Sequence, residues 1–167
     1  DTRVRGVHWS VGREGTVTPS ILLGPVRIHG HSISRVVIQT LRLFEELGLR
    51  EGSLVRVERR GGATLRISKV LHYGDGRPLQ APRECPACRG ALGVSQMKVR
   101  KRTASSGIPI NNDRALYCLQ ERDCSSARRK AVRHFVRAVE IVGFGASVLD
   151  TLSSHGLVRQ PEDLFEL

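Results

Sequence analysis

Aromatic residues are scarce in this chain. They make up 4% of its 167 residues, with a single Trp, and hydrophobic residues of all kinds reach only 40%. So thin an apolar supply argues against one large core and for several small modules, one of them stapled by metal. No apolar run approaches the roughly 20 residues that a membrane-spanning helix requires, so no membrane partner is expected. Nothing resembles a secretory signal peptide, which weakens the case for disulfides. The first residue is Asp1 rather than Met, and the expectation is a piece of a longer chain. Lysine is rare too: of the 27 Lys and Arg, 23 are Arg, the side chain whose planar fork fits phosphate.

Cysteine is equally sparse, but its placement is informative. Only four occur, as Cys85-Pro-Ala-Cys88 and Cys118-Leu-Gln-Glu-Arg-Asp-Cys124. A C-x2-C turn points two thiolates at one ion, and a second close pair completes a tetrahedral site of the structural zinc type. Four thiolates leave no position for water, so such a Zn2+ holds the fold and does no chemistry. The alternatives are two disulfides or four unrelated core cysteines. A redox pair needs a thioredoxin-like βαβ setting, which the Pro, Arg and Gly around Cys85 and Cys88 do not supply. His72 and His134 are the histidines that would replace one cysteine ligand.

The net charge of +11 is unevenly spread. Residues 1–80 carry 13 Lys/Arg against 7 Asp/Glu, residues 81–134 carry 12 against 4, and residues 135–167 carry 2 against 5. Positive charge therefore centres on the cysteines. That is the footprint of a nucleic-acid partner, with an anionic membrane surface as runner-up and a merely solvated basic surface as the bland alternative.

In chain order, residues 3–73 predict small β structure. Val7, Trp9 and Val11 alternate, Gly12–Gly15 turns, and Thr16–Thr18 resumes extended chain before Pro19. Val26 and Ile28 alternate, and Ile33–Ile38 is rich in β-branched residues. Leu41, Phe44 and Leu47 have helical spacing and stop at Gly48. Val55 and Val57 alternate, and Thr64–Leu71 forms the last strand. Five short strands with one helix between the third and fourth suggest an OB-type β-barrel over 1–78, with an SH3-like barrel as the near alternative. Residues 74–84 resemble a linker into a four-Cys zinc finger over 79–126. Between the cysteine pairs, Met97–Gly107 has four cations in five residues and reads as an exposed loop or hairpin tip.

From Ser125 the period becomes helical: Val132, Phe135, Val136 and Val139 share one face, and Ser125 or Ser126 is the expected cap. Ile141-Val-Gly143-Phe144-Gly145 follows, then a second helix ending at Gly156. Helix, apolar-Gly-apolar-Gly, helix is a helix-hairpin-helix pattern over 127–167, its glycines admitting a phosphate to free helix N–H groups. A plain αα-hairpin needs the same tight turn. Pro161 starts one more short helix.

A small barrel, a four-Cys module and a helical hairpin, in that order, resemble the central part of bacterial NAD+-dependent DNA ligases. Val11-Gly-Arg-Glu-Gly-Thr-Val-Thr-Pro19 is similar to that family's V-G-R-T-G-x-x-T-P, and Leu47-Gly-Leu-Arg-Glu-Gly52 to its L-G-L-R-x-G-D. Cys85-Pro-x-Cys88 and the Cys118–Cys124 spacing fit its finger, and Gly156–Phe165 fits the segment that follows. Departures at Ser34–Thr40 and Arg60–Leu65, and a longer interval from Cys88 to Cys118, mark a divergent member. No Lys-x-Asp-Gly occurs, so the lysine nucleophile that takes AMP from NAD+ is not in this chain.

The resemblance implies the DNA-gripping portion of a nick-sealing ligase serving DNA repair and replication. NAD+ would act only in an adenylation domain, and this chain alone would be inactive. Nicked duplex DNA would be held through phosphates and the minor groove, with little sequence preference. Arg13 matches the family's barrel arginine. Arg59 and Arg60 at the fourth strand, Lys98 and Arg100 in the basic insert, Arg128 and Arg129 on the first helix, and Gly143 and Gly145 in the hairpin complete the expected contacts. A monomer in the bacterial cytoplasm, near the nucleoid, is expected. A stand-alone DNA-binding accessory module and a zinc-bearing protein-interaction module are the alternatives.

Overall fold

A computed structural model describes residues 1–28, 30–59, 64–96 and 114–167. These form two compact units, one from 1–10, 18–82 and 94–116, the other from 11–17, 83–93 and 117–167.

The first unit is built on an antiparallel sheet. Its strands are β1 (Thr2–Val11), β2 (Thr16–Ile28), β3 (His31–Val37), β4 (Leu54–Arg59), β5 (Leu65–His72), β6 (Leu92–Gln96) and β7 (Arg114–Cys118). Their order is β5-β4-β1-β2-β7-β6, with β3 also paired to β2. β5 lies close to β3, curling the first five strands toward a barrel. Those five strands, and helix α1 (Leu41–Leu47) between the third and fourth, fall where the alternation places them.

Local chemistry explains α1. The Thr40 hydroxyl accepts the Leu43 N–H at 3.2 Å, a side-chain N-cap worth about 1 kcal/mol. Gly48 then turns left-handed at φ +52°, and its N–H donates to Glu45. Leu41 and Phe44 are buried, and Phe44 meets Trp9 edge-on with ring centres 4.9 Å apart.

Two expectations are corrected here. Pro19 does not end a strand: β2 runs through it, because the β2–β3 ladder begins only at Ser20 and asks no N–H of Pro19. The Pro19 carbonyl still accepts from Ile38 at 2.9 Å. The register shifts instead between Leu22 and Val26, around Gly24-Pro25. The glycines of the supposed linker are also not there for looseness. A Cβ at Gly74 would lie 2.3 Å, and one at Gly76 2.6 Å, from the Glu51 carbonyl oxygen. Leu79 and Glu51 donate backbone hydrogen bonds to Leu49 and Arg77, respectively, tying this stretch to the barrel.

In the second unit, α2 (Ser125–Ala138) and α3 (Ala146–Ser154) pack with a 3-10 turn at Pro161–Phe165. Val132, Val136, Leu149 and Val158 form their core, flanked by Ile141, Phe144, Leu152 and Leu164. Each buried aliphatic side chain contributes about 1.5–3 kcal/mol. Phe135 packs on Phe165 edge-on at 6.0 Å, and Arg133 bonds both Asp150 carboxylate oxygens at 2.6 Å. Val139 leaves the expected apolar face: it is the C-cap of α2 and 57% exposed. Neither Ser125 nor Ser126 caps α2; the N-cap is Cys124.

Candidate metal centre and nucleic-acid interface

The four cysteines, far apart in sequence, meet at one point. Their sulfur atoms all lie within 4.8 Å of one another, with Cys88–Cys118 at 3.5 Å and Cys85–Cys124 at 3.9 Å. All four are free thiols. A tetrahedral zinc with Zn–S bonds of about 2.3 Å sets its sulfurs roughly 3.8 Å apart, so this donor set fits that ion. His72 and His134 are not part of the cluster.

Each knuckle is shaped by its own backbone. The first closes as the Cys85 N–H donates to Gly90 and the Arg89 N–H to Cys85, both at 2.9 Å, with Glu84 bridged to Ala91. In the second, Asp123 and Cys124 donate to the Gln120 carbonyl at 3.0 and 2.8 Å. Leu119 donates to Ala91 at 3.0 Å, which brings the two knuckles together. Arg128 braces the second loop by bonding the Arg122 carbonyl and the Asp123 carboxylate.

The thiols are not electrostatically alike. Burial pushes Cys85 up, but the N–H groups of Cys88 and Ala87 and the thiols of Cys88 and Cys118 outweigh it, bringing it down to about 7. Burial, helped by the Cys88 thiol, pushes Cys118 up to about 12. Cys124 is also raised, chiefly by burial. A metal must therefore displace protons that Cys118 and Cys124 hold at neutral pH. Acidification strengthens that competition, so affinity for zinc should fall as pH falls, with about two or more protons released per ion near pH 7. Titration calorimetry in buffers of different ionisation enthalpy measures that number; proton-neutral binding would refute it.

The turn bearing Arg13 is built into the same unit. Gly12 donates to Thr16 at 2.7 Å and Gly15 to Gly12 at 3.2 Å, while the Gly15 carbonyl accepts from Cys118 at 2.9 Å. Gly15 has φ +72°, and a Cβ there would lie 2.9 Å from Glu121 Cβ. Glycine is thus demanded twice, by backbone and by space. The Val11 carbonyl accepts from the Ser126 hydroxyl at 3.5 Å and from the Lys130 ammonium. The sequence carries the motif around this turn but not its attachment to the cysteine loop.

The remaining expected residues are distributed as follows. Arg13 is exposed and paired with Glu14 at 3.2 Å. Arg59 ends β4 and is exposed, as is Arg129 on α2. Arg128 is engaged with Asp123. Gly143 has φ +92°, which favours glycine, whereas Gly145 sits at φ −66° as the N-cap of α3. Nothing lies within 4 Å of a Cβ built at either glycine. No side chain caps α3. Arg60, Lys98 and Arg100, and with them the basic Met97–Gly107 insert, fall outside the described residues. Among the described residues, no helix is long and apolar enough to cross a membrane.

An OB-type fold of antiparallel strands, followed in the chain by four cysteines placed to hold a metal ion, defines a modular protein. Residues 1–76 match the model of the NAD-dependent DNA ligase OB-fold domain, and this region belongs to that domain family. Relatives extend the likeness along the chain. A DNA ligase of Pseudomonas paraeruginosa is 33% identical over 99% of this chain and 21% of its own length. One from Azotobacter vinelandii has the same identity and coverage, and one from Pseudomonas aeruginosa is 32% identical over the same shares. The chain thus spans about a fifth of the curated relatives it matches, 21% of the first.

Proposed function

We propose that this chain is the DNA-gripping portion of a ligase that seals nicks in duplex DNA using NAD+, with adenylate chemistry performed by residues outside it. The observation that carries this reading is the alignment with DNA ligases over 99% of the chain, covering barrel, cysteine cluster and helices alike. Residues 1–78 act as the barrel, 79–126 as a zinc finger held by Cys85, Cys88, Cys118 and Cys124, and 127–167 as a helix-hairpin-helix.

Gly145 supports the hairpin's role. Neither its φ of −66° nor its packing calls for glycine. A bare backbone at an uncapped helix N-terminus suits close approach of a phosphate. Arg13, Arg59, Arg60, Lys98, Arg100, Arg128 and Arg129 supply charge along the duplex. Contacts of this kind position the protein and read little sequence. No Lys-x-Asp-Gly occurs in the 167 residues, so the chain by itself should not form an enzyme–AMP adduct.

If about four to six phosphates are neutralised, log K should fall against log salt with a slope near −4 to −5. Filter binding with nicked, intact and single-stranded DNA measures both slope and preference. A slope near zero would sink the proposal, and would favour a protein-interaction module.

A further inference from the structure

We infer that Arg89 is a DNA phosphate contact, held at the rim of the cysteine knuckle in a backbone conformation that ordinarily calls for glycine. The inference rests on the DNA-gripping reading above and adds a residue to it. Among the described residues, seven glycines take positive φ, and only Arg89 at +58° and Glu140 at +56° do so with a side chain. The left-handed step at 89 is part of the closed turn in which Arg89 donates to Cys85. A glycine stands one place later, against the flexible end of Gln120. A Cβ at Gly90 would lie 2.5 Å from Gln120 Oε1 and 3.3 Å from Cys88 Sγ.

The closed turn holds the backbone in this conformation, but something else must favour arginine over glycine there. Nothing within the described chain does. The Arg89 side chain is exposed. Arg13, Arg114, Arg128 and Arg133 each pair with a carboxylate, whereas the Arg89 guanidinium bonds no described residue. With no partner among the described residues, the two sources of benefit to weigh are an anion from outside the protein and the cysteine cluster's own negative charge. An exposed fork in the most basic third of the chain suits a backbone phosphate. The metal knuckle would fix the Cα and so lower the entropy lost on contact.

The test uses the zinc-loaded 167-residue chain, nicked duplex DNA and a salt series from about 50 to 200 mM. Arg89→Gly should move two readouts in opposite directions. Relief of the strained φ raises Tm by about 2–4 °C, while DNA affinity drops roughly five- to tenfold and the salt slope becomes shallower by about 0.9. Arg89→Lys should keep the slope without the gain in Tm. Glu140→Gly, which relieves the other strained side chain, should raise Tm without weakening binding.

Unchanged affinity and slope in Arg89→Gly, with normal salt-sensitive binding by the unaltered chain, would overturn the role of Arg89 and leave the DNA reading standing. Loss of zinc from Arg89→Gly with unchanged DNA affinity in its zinc-loaded form would assign the arginine to the cluster's charge instead. Absence of salt-sensitive binding by the unaltered chain would overturn both.

Discussion

Replacing Cys124 by Ser should cost more order than any other single change in the second unit. Cys124 is a member of the tetrathiol cluster and sits directly at the start of α2, where its side chain makes no cap bond. It is also fully buried. Structural zinc in small finger peptides is worth on the order of 10–16 kcal/mol at neutral pH. That sum is comparable to the roughly 5–15 kcal/mol that holds a whole domain. The knuckle at 118–124 should loosen, and the first turn of α2 should fray with it, freeing Arg128, Arg129 and Lys130 to trypsin. Cys88→Ser should also disorder residues 85–124, but with less effect on α2, because Cys88 is only half-buried and lies far from α2 in the chain, whereas Cys124 adjoins it. Limited proteolysis with zinc quantitation checks this ordering. Full zinc stoichiometry in either variant would show that the ligand set is wrong.

Ile21→Ala is the second large expected effect, and it tests the barrel independently of metal. Ile21 is entirely buried in β2, directly opposite buried Val36 in β3. Removing its methyl and methylene groups forfeits transfer energy and leaves a cavity that paired strands cannot collapse. Losses of about 2–5 kcal/mol are typical of such truncations. A decrease in the urea midpoint reports it, with Trp9 as the probe of the barrel. The helices should keep their hydrogen-exchange protection, since their core is Val132, Val136, Leu149 and Val158. A midpoint within about 0.5 kcal/mol of the parent would place Ile21 outside the structural core.

What the sequence made legible was whatever lies in local pattern. Alternation at Val55 and Val57, helical spacing at Leu41 and Phe44, and the cysteine spacings each report short-range geometry, and each element is present. The extension of the sheet beyond β2 by β7 and then β6 was not legible. β7 pairs with β2, a strand some ninety residues earlier, β6 pairs with β7, and Leu92–Gln96 carries no strong alternation. The helix start was misplaced because Ser125-Ser126 has the chemistry of a cap, whereas the knuckle fixes Cys124 at the point where helical geometry begins. Gly74 and Gly76 read as punctuation. Their real constraint, the nearby Glu51 carbonyl, is a tertiary contact that no local rule encodes.

The turn between β1 and β2 carries a consequence for inheritance. The turn's carbonyls at Val11 and Gly15 take their donors from Cys118, Ser126 and Lys130, more than a hundred residues later. A recombination that imported the barrel alone from a relative would bring the acceptors without their donors. The barrel segment and the cysteine-to-helix segment are therefore expected to evolve as linked halves, exchanged together or compensated together, although the chain between them offers an obvious place to cut.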